Sequence, residues 1–147
     1  MYVQEFRKKI AAGATIIVDD KELEVREVVL FRFDDKSFYI KCFLSDGYVL
    51  ADDAKTNSFV LVREVYSGIA EPFPEELVYD GKDFTFLFDA HAVAERTSGE
   101  EIFKEGDSET FWDYESSDGS YLSLGIHDRT GKRQDFYGKT VDDIEFV

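Results

Sequence analysis

The chain has 147 residues, of which 44% are hydrophobic and 16% aromatic. That is enough apolar surface to offset the entropy of ordering, and it excludes a disordered chain. With a formal charge of −15 the protein lacks the cationic face that binds a phosphate backbone or an anionic lipid surface, so neither nucleic acid nor a membrane is an expected partner.

The predicted elements begin with a helix over residues 2–12. Tyr2, Phe6 and Ile10 recur at i, i+4 and i+8, which puts them on one face, and Gly13 is a C-terminal stop. A helix of about 11 residues is marginal alone, so this one is expected to pack on a sheet. Glu5, Arg7, Lys8 and Lys9 leave no apolar signal core. The longest apolar runs, such as Val28 to Phe31, fall far short of the roughly 20 residues of a membrane span. No membrane insertion and a cytoplasmic location are therefore expected. A single cysteine, Cys42, fits a reducing compartment.

From Ala14 the period becomes that of strands. Ala14 to Val18, Glu22 to Phe33, Ser37 to Leu44, Tyr48 to Ala51 and Phe59 to Val65 are separated by Asp19-Asp20-Lys21, Asp34-Asp35-Lys36 and Ser45-Asp46-Gly47. Both prolines lie in Glu71 to Glu76, where they suit a linker and no central strand. Beyond it come Leu77 to Tyr79, the turn Asp80-Gly81-Lys82, and Asp83 to Phe88 with Phe84, Phe86 and Phe88 facing inward. Ala90 to Thr97 is a further strand and 98–109 a polar loop. Thr110 to Glu115, Tyr121 to His127, Arg133 to Tyr137 and Val141 to Phe146 complete the sheet.

The two halves resemble each other. Ile17 to Val25 matches Val78 to Phe86 in pattern at an offset of 61, and Ser45-Asp46-Gly47 matches Ser117-Asp118-Gly119 at an offset of 72. Aromatic residues precede the Ser-Asp-Gly turn in both. A duplicated β unit with an insertion in the second copy accounts for this. The expected fold is mainly β: two tandem small barrel or sandwich units, SH3-like or similar, with a short N-terminal helix. Residues 1–66 form the helix and first unit, 67–76 the linker and 77–147 the second unit, with the two units expected to pack as one compact globule. The charge is uneven between them, with 10 basic against 12 acidic side chains in residues 1–66 and 7 against 20 in residues 67–147.

Several stretches resemble a known family. Gly13 to Val25 looks like its first strands, Gly106 to Leu124 is similar to its later half, and so is Tyr137 to Val141. The family is the bacterial domain of unknown function DUF4178. This chain has Phe43-Leu44 and Tyr48-Val49-Leu50 where the family resemblance calls for a more Trp-rich hairpin. The resemblance implies no catalytic motif. It implies an accessory role beside envelope-stress proteins.

The residues themselves offer little chemistry. Cys42 sits mid-strand with no glycine elbow or helix N-terminus to activate it. His127-Asp128 ends a hairpin, where a base is conceivable. Two histidines and one cysteine cannot close a zinc site without carboxylates, and the Asp-Asp pairs at 19–20, 34–35, 52–53 and 142–143 follow no EF-hand spacing. No catalytic residue, metal or cofactor is expected. The aromatics remain: Phe111, Trp112, Asp113, Tyr114, Glu115, Tyr121 and Tyr137 form the candidate binding set, with aromatics on both faces of a strand. The expectation is a non-catalytic binding or assembly module for a cationic or extended peptide partner, steered by Glu109, Asp113 and Glu115. A carboxylate-based hydrolase and a calcium or small-ligand binder are the alternatives. The sequence leaves the oligomeric state open.

Overall fold

The computed structural model describes residues 1–100 and 102–147. Helix α1 (Val3–Lys9) is followed in the first half by β1 (Thr15–Val18), β2 (Lys21–Phe33), β3 (Phe38–Leu44), β4 (Tyr48–Asp53) and β5 (Ser58–Val65). The second half contributes β6 (Glu76–Tyr79), β7 (Lys82–Gly99), β8 (Ser108–Ser116), β9 (Ser120–His127) and β10 (Arg133–Val141), and β11 (Ile144–Phe146) ends the chain. The β1–β2 and β6–β7 turns each need two consecutive residues at positive φ. Asp19 (51°) and Asp20 (61°) supply them in the first, Asp80 (53°) and Gly81 (71°) in the second.

β2 to β5 form one antiparallel meander and β7 to β10 another. The two are joined along β2–β7 and β5–β10, so that they close into one eight-stranded barrel. β1 and β11 extend the sheet beyond β2, and β6 extends it beyond β7. The expectation of two tandem units is corrected here: there is one barrel, and each half supplies four of its strands. A four-stranded meander alone has two open edges and nothing over one face. Joining two edge to edge satisfies both sets of backbone groups and creates a shared interior. Each joint carries a glycine at a close approach. A Cβ at Gly99 would lie 2.1 Å from the Arg26 carbonyl oxygen, and one at Gly138 would lie 2.0 Å from that of Leu61.

Three apolar clusters follow from strand alternation. The barrel interior holds Val29, Phe31, Phe43, Val49, Val62, Ala92, Ala94, Phe111, Tyr121 and Phe136. Outside the first half, Ile16, Leu23, Val25, Ile40, Cys42, Leu50, Phe59 and Ile144 pack beneath α1. Outside the second half, Phe84, Tyr114, Leu122 and Leu124 pack beneath the linker residues Ile69 and Phe73 and the β6 residues Leu77 and Tyr79. Charge anchors α1: the Arg7 guanidinium donates to both carboxylate oxygens of Asp52 at 2.7 and 3.0 Å.

Other boundaries differ from the sequence reading. α1 buries Val3 and Phe6, while Tyr2 is 66% exposed. Residues 83–88 and 90–97 belong to one strand, β7, with a register shift between Phe86 and Phe88. An extra residue inverts the inward and outward alternation. Phe84 and Phe86 therefore face the outer cluster, and Phe88 faces the interior side, 6.1 Å from Phe111 between ring centroids. Val141 to Phe146 is not one strand. Val141 ends β10, and β11 crosses to the first half to pair with β1.

Candidate functional site

Alternation along β8 divides the aromatic and acidic set between the two faces of the barrel wall. Phe111, Asp113 and Glu115 pair with Gly125, Ser123 and Tyr121 of β9 on the inner face. Trp112 and Tyr114 pair with Leu124 and Leu122 on the outer one. Tyr121 belongs to the interior cluster and Tyr137 to the outer cluster. Little of the set reaches solvent. Phe111, Asp113, Tyr114 and Tyr121 are buried, while Trp112, Glu115 and Tyr137 are half-buried. On the outer face Phe73 of the linker covers Trp112 edge-on at 4.8 Å, and the Tyr114 hydroxyl donates to the Pro74 carbonyl at 2.7 Å. Tyr137 packs edge-on against Tyr79 at 5.0 Å and donates to Asp80 at 2.9 Å.

The inner face holds polar chemistry that the sequence reading did not assemble. Lys41, Glu109, Asp113 and Glu27 are all buried. The Lys41 ammonium lies 3.6 Å from Glu109 and 4.6 Å from the centroid of the Phe136 ring, with Phe31, Phe43 and Phe103 also around it. Glu109 accepts the Tyr39 hydroxyl at 2.7 Å. Asp113 accepts the hydroxyls of Tyr121 and Ser123, the latter at 2.5 Å. Burial pushes the Asp113 carboxyl up to about 6, and the nearby Glu109 adds to the rise. Withdrawal from water likewise holds the Tyr39 and Tyr121 phenols well above their ordinary value. Glu27 accepts the backbone N–H groups of Ile102 and Phe103 at 2.7 and 3.1 Å, which seats the Phe103 ring in the barrel end beside Phe31 and Phe43.

This arrangement is internally satisfied. Among the described residues no buried side-chain nitrogen or oxygen lacks a hydrogen-bond partner. Two shallow surface grooves lie elsewhere, one against Arg32, Val93 and Glu95, the other along Lys21, Arg63, Tyr137 and Lys139. The acids proposed from the sequence to steer a partner are placed differently. Glu109 and Asp113 are inside the barrel, and only Glu115 reaches solvent in part.

The remaining candidates are dispersed. Cys42 is buried beneath α1, and burial pushes its thiol up, away from the reactive thiolate. His127 and Asp128 turn to different partners: His127 stacks on Phe103 and approaches Asp107 at 3.5 Å, while Asp128 meets His91 at 3.1 Å and the hydroxyls of Ser108 and Thr110. Among the described residues no group of three or more His, Cys, Asp or Glu is gathered to hold a metal ion. No described helix is long and apolar enough to cross a membrane.

A signal for the interior cluster was present in the sequence. Lys41 is a lone charge in an otherwise apolar strand, and Glu109 and Asp113 share one parity in β8. The pairing between them needed the barrel closure, which no local pattern reveals. No curated protein and no solved structure matches the chain. The model of the family described as domain of unknown function DUF4178 matches residues 11–143, and with nearly the whole length matched the chain belongs to that family.

Proposed function

We propose that the protein is a non-catalytic binding module that docks a cationic partner protein on its second half. The observation that carries this reading is the arm formed by β6 and the first part of β7. Val78 on β6, and Leu87 and Phe88 further along β7, are large apolar side chains exposed by 68%, 44% and 39%. In the same stretch Glu71, Glu75, Glu76, Asp80, Asp83 and Asp89 are exposed, against Lys82 as the one basic residue of 71–89. Apolar surface rimmed by charge of one sign is the make-up of an interaction site.

We also infer that the two halves descend from a duplicated β unit. Each runs as a hairpin, a long strand and a meander in the same order, with turns at Asp19-Asp20 and Asp80-Gly81 in matching places. On this view the two hairpin arms are copies, and the second has kept an edge available for a partner.

The binding reading is tested with a lysine decapeptide as probe. Association rates are measured against ionic strength for the parent, for Glu75→Gln/Glu76→Gln/Asp83→Asn, and for Glu22→Gln/Glu24→Gln/Asp20→Asn as the first-half control. Exposed charges attract over about 10 Å at 0.1 M salt and act mainly on the association rate. The arm variant is expected to bind more slowly with a flatter salt dependence, and the control to follow the parent. Equal slopes for all three would show that the acid serves solubility alone.

A further inference from the structure

A two-residue hairpin turn is closed by a hydrogen-bonded pair, and bonded and non-bonded positions alternate from there along the strands. In the first hairpin Val18 faces Lys21 across the turn, so Ile17 and Thr15 direct their backbone groups away from β2. β11 takes up that edge. Ile17 lies opposite Glu145, and the Val147 N–H donates to the Thr15 carbonyl at 3.0 Å. In the second hairpin Tyr79 faces Lys82, and the Phe86 N–H donates to the Glu75 carbonyl at 2.8 Å. These two facts set the phase: Tyr79, Leu77 and Glu75 bond to β7, and Val78 and Glu76 face outward. The offset of 61 residues puts Val78 where Ile17 stands and Glu76 where Thr15 stands. Among the described residues no strand pairs with this edge of β6.

We propose that the outer edge of β6 is a strand-addition site for a short, basic, extended segment of a partner protein, seated antiparallel as Ile144–Phe146 is seated on β1. This rests on the binding-module reading and specifies where and how the partner docks. The intramolecular case gives the pattern. Ile144 and Phe146 lie opposite Val18 and Ile16 and join the cluster beneath α1, while Glu145 between them is exposed. On β6 the matching positions are Tyr79 and Leu77, half-buried against the outer cluster of the second half. An apolar–polar–apolar segment would set its two apolar side chains beside them and extend that cluster. In that register its polar position lies opposite Val78, with the exposed acids Glu76 and Asp80 at the flanking positions and Asp83 beside Val78 on β7, which selects lysine or arginine. The chain's own residues 142–147 have the apolar spacing but carry Asp142, Asp143 and Glu145, so a second copy's β11 fits in shape and is repelled in charge.

The test uses two synthetic peptides, acetylated and amidated at their ends. One has the sequence of residues 142–147, and the other carries Asp142→Lys, Asp143→Lys and Glu145→Lys. Each is titrated into the isotope-labelled full chain while amide shifts and hydrogen exchange are followed. The lysine peptide is expected to shift the amides of Glu76 and Val78, to slow their exchange at least about tenfold, and to bind at least about tenfold more tightly than the native-sequence peptide. Val78→Pro removes an outward N–H and no bond to β7, so the fold tolerates it; it should abolish the protection. Glu75→Lys/Glu76→Lys leaves positions 75, 76, 80 and 83 with no net charge and should remove the preference between the peptides, which keeps the test decisive if Val78→Pro alters the arm. Unmoved Glu76 and Val78 amides, or equal binding by both peptides, would overturn the proposal. If the lysine peptide binds elsewhere on 67–147, strand addition falls while the binding-module reading stands. If neither it nor the lysine decapeptide binds, both fall.

Discussion

Replacing Asp113 by asparagine should make the protein more stable at neutral pH. Asp113 is buried inside the barrel, its carboxyl is pushed up from 3.8 to about 6, and removal from water is the first cause. In the unfolded chain the group returns to its ordinary value. Between about pH 4 and 6 the folded state therefore holds the proton that the unfolded state has released, and stability falls as pH rises through that window. The penalty is absent below about pH 4 and complete above about pH 6. A rise of roughly two pK units at 1.36 kcal/mol each is about 3 kcal/mol. Asparagine keeps the geometry, since its oxygen can accept from Tyr121 and its amide can donate to Ser123, the two partners of the present carboxylate. The assay is urea unfolding of parent and Asp113→Asn at pH 4.5 and pH 7.5. Other carboxylates titrate in both proteins, so the difference between the two isolates this residue. With a urea slope of about 2 kcal/mol per molar, the variant's midpoint should rise by about 1.5 M at pH 7.5. At pH 4.5 most of that difference should vanish. A variant less stable than the parent at pH 7.5 would refute the reasoning, because it would mean that the ionised carboxylate is a net stabilising partner of its two hydroxyls.

Gly138→Ala should cost about 3 kcal/mol or more in the same assay, because the new Cβ would lie 2.0 Å from the Leu61 carbonyl oxygen and 2.7 Å from the Val62 Cα, neither of which can give way without opening the β5–β10 joint. His91 is bound by Asp34 at 3.0 Å and Asp128 at 3.1 Å, and the Asp34 hydrogen bond leads the rise in its pKa. Its contribution is complete below the ordinary histidine value and is lost as pH rises through the raised one. His91→Gln should then lower the melting temperature at pH 6 and not at pH 9, by the equivalent of less than about 1 kcal/mol since the site is partly exposed. Glu109→Leu alone should destabilise by about 3–5 kcal/mol by leaving the Lys41 charge buried and unpaired. Glu109→Leu with Lys41→Met and Tyr39→Phe should recover that loss on urea unfolding.

Local rules made the hairpins legible. Asp19-Asp20, Asp80-Gly81 and Ser45-Asp46-Gly47 each turn the chain where the residue types say they should. The strand spans follow for the same reason, since alternation is a property of neighbouring residues. What failed was everything that depends on pairing between distant strands. The sequence reading closed each half on itself because each half contains a complete meander. Nothing local says that the edge of β2 prefers β7 to its own β5. The bulge between Phe86 and Phe88 was equally hidden, as no glycine or proline marks it, and it moved Phe88 to the opposite face. The same gap scattered the candidate site. Phe111, Trp112, Asp113, Tyr114 and Glu115 are consecutive in sequence, but they alternate across a wall whose two sides became visible only once the barrel closed.

Closure by two long-range joints raises a problem of register, and the buried polar groups bear on it. Apolar packing alone tolerates many sliding arrangements of one meander against the other, since most inward positions are interchangeable in shape to within a methylene or two. A slip of one residue would exchange the inner and outer faces, and a slip of two would keep them. The second kind of error is the one that hydrophobic patterning cannot prevent. The interior polar contacts can. Tyr39 and Lys41 come from β3 and meet Glu109 of β8, and Glu27 of β2 holds the backbone of Ile102 and Phe103 in the segment before β8. Each of these contacts joins the first half to the second. A two-residue slip would leave a lysine and two carboxylates buried without partners, at several kcal/mol each. Ion pairs that add little to the stability of the native arrangement therefore add much to its advantage over the shifted ones. On that argument the charges inside this barrel set how the two halves meet.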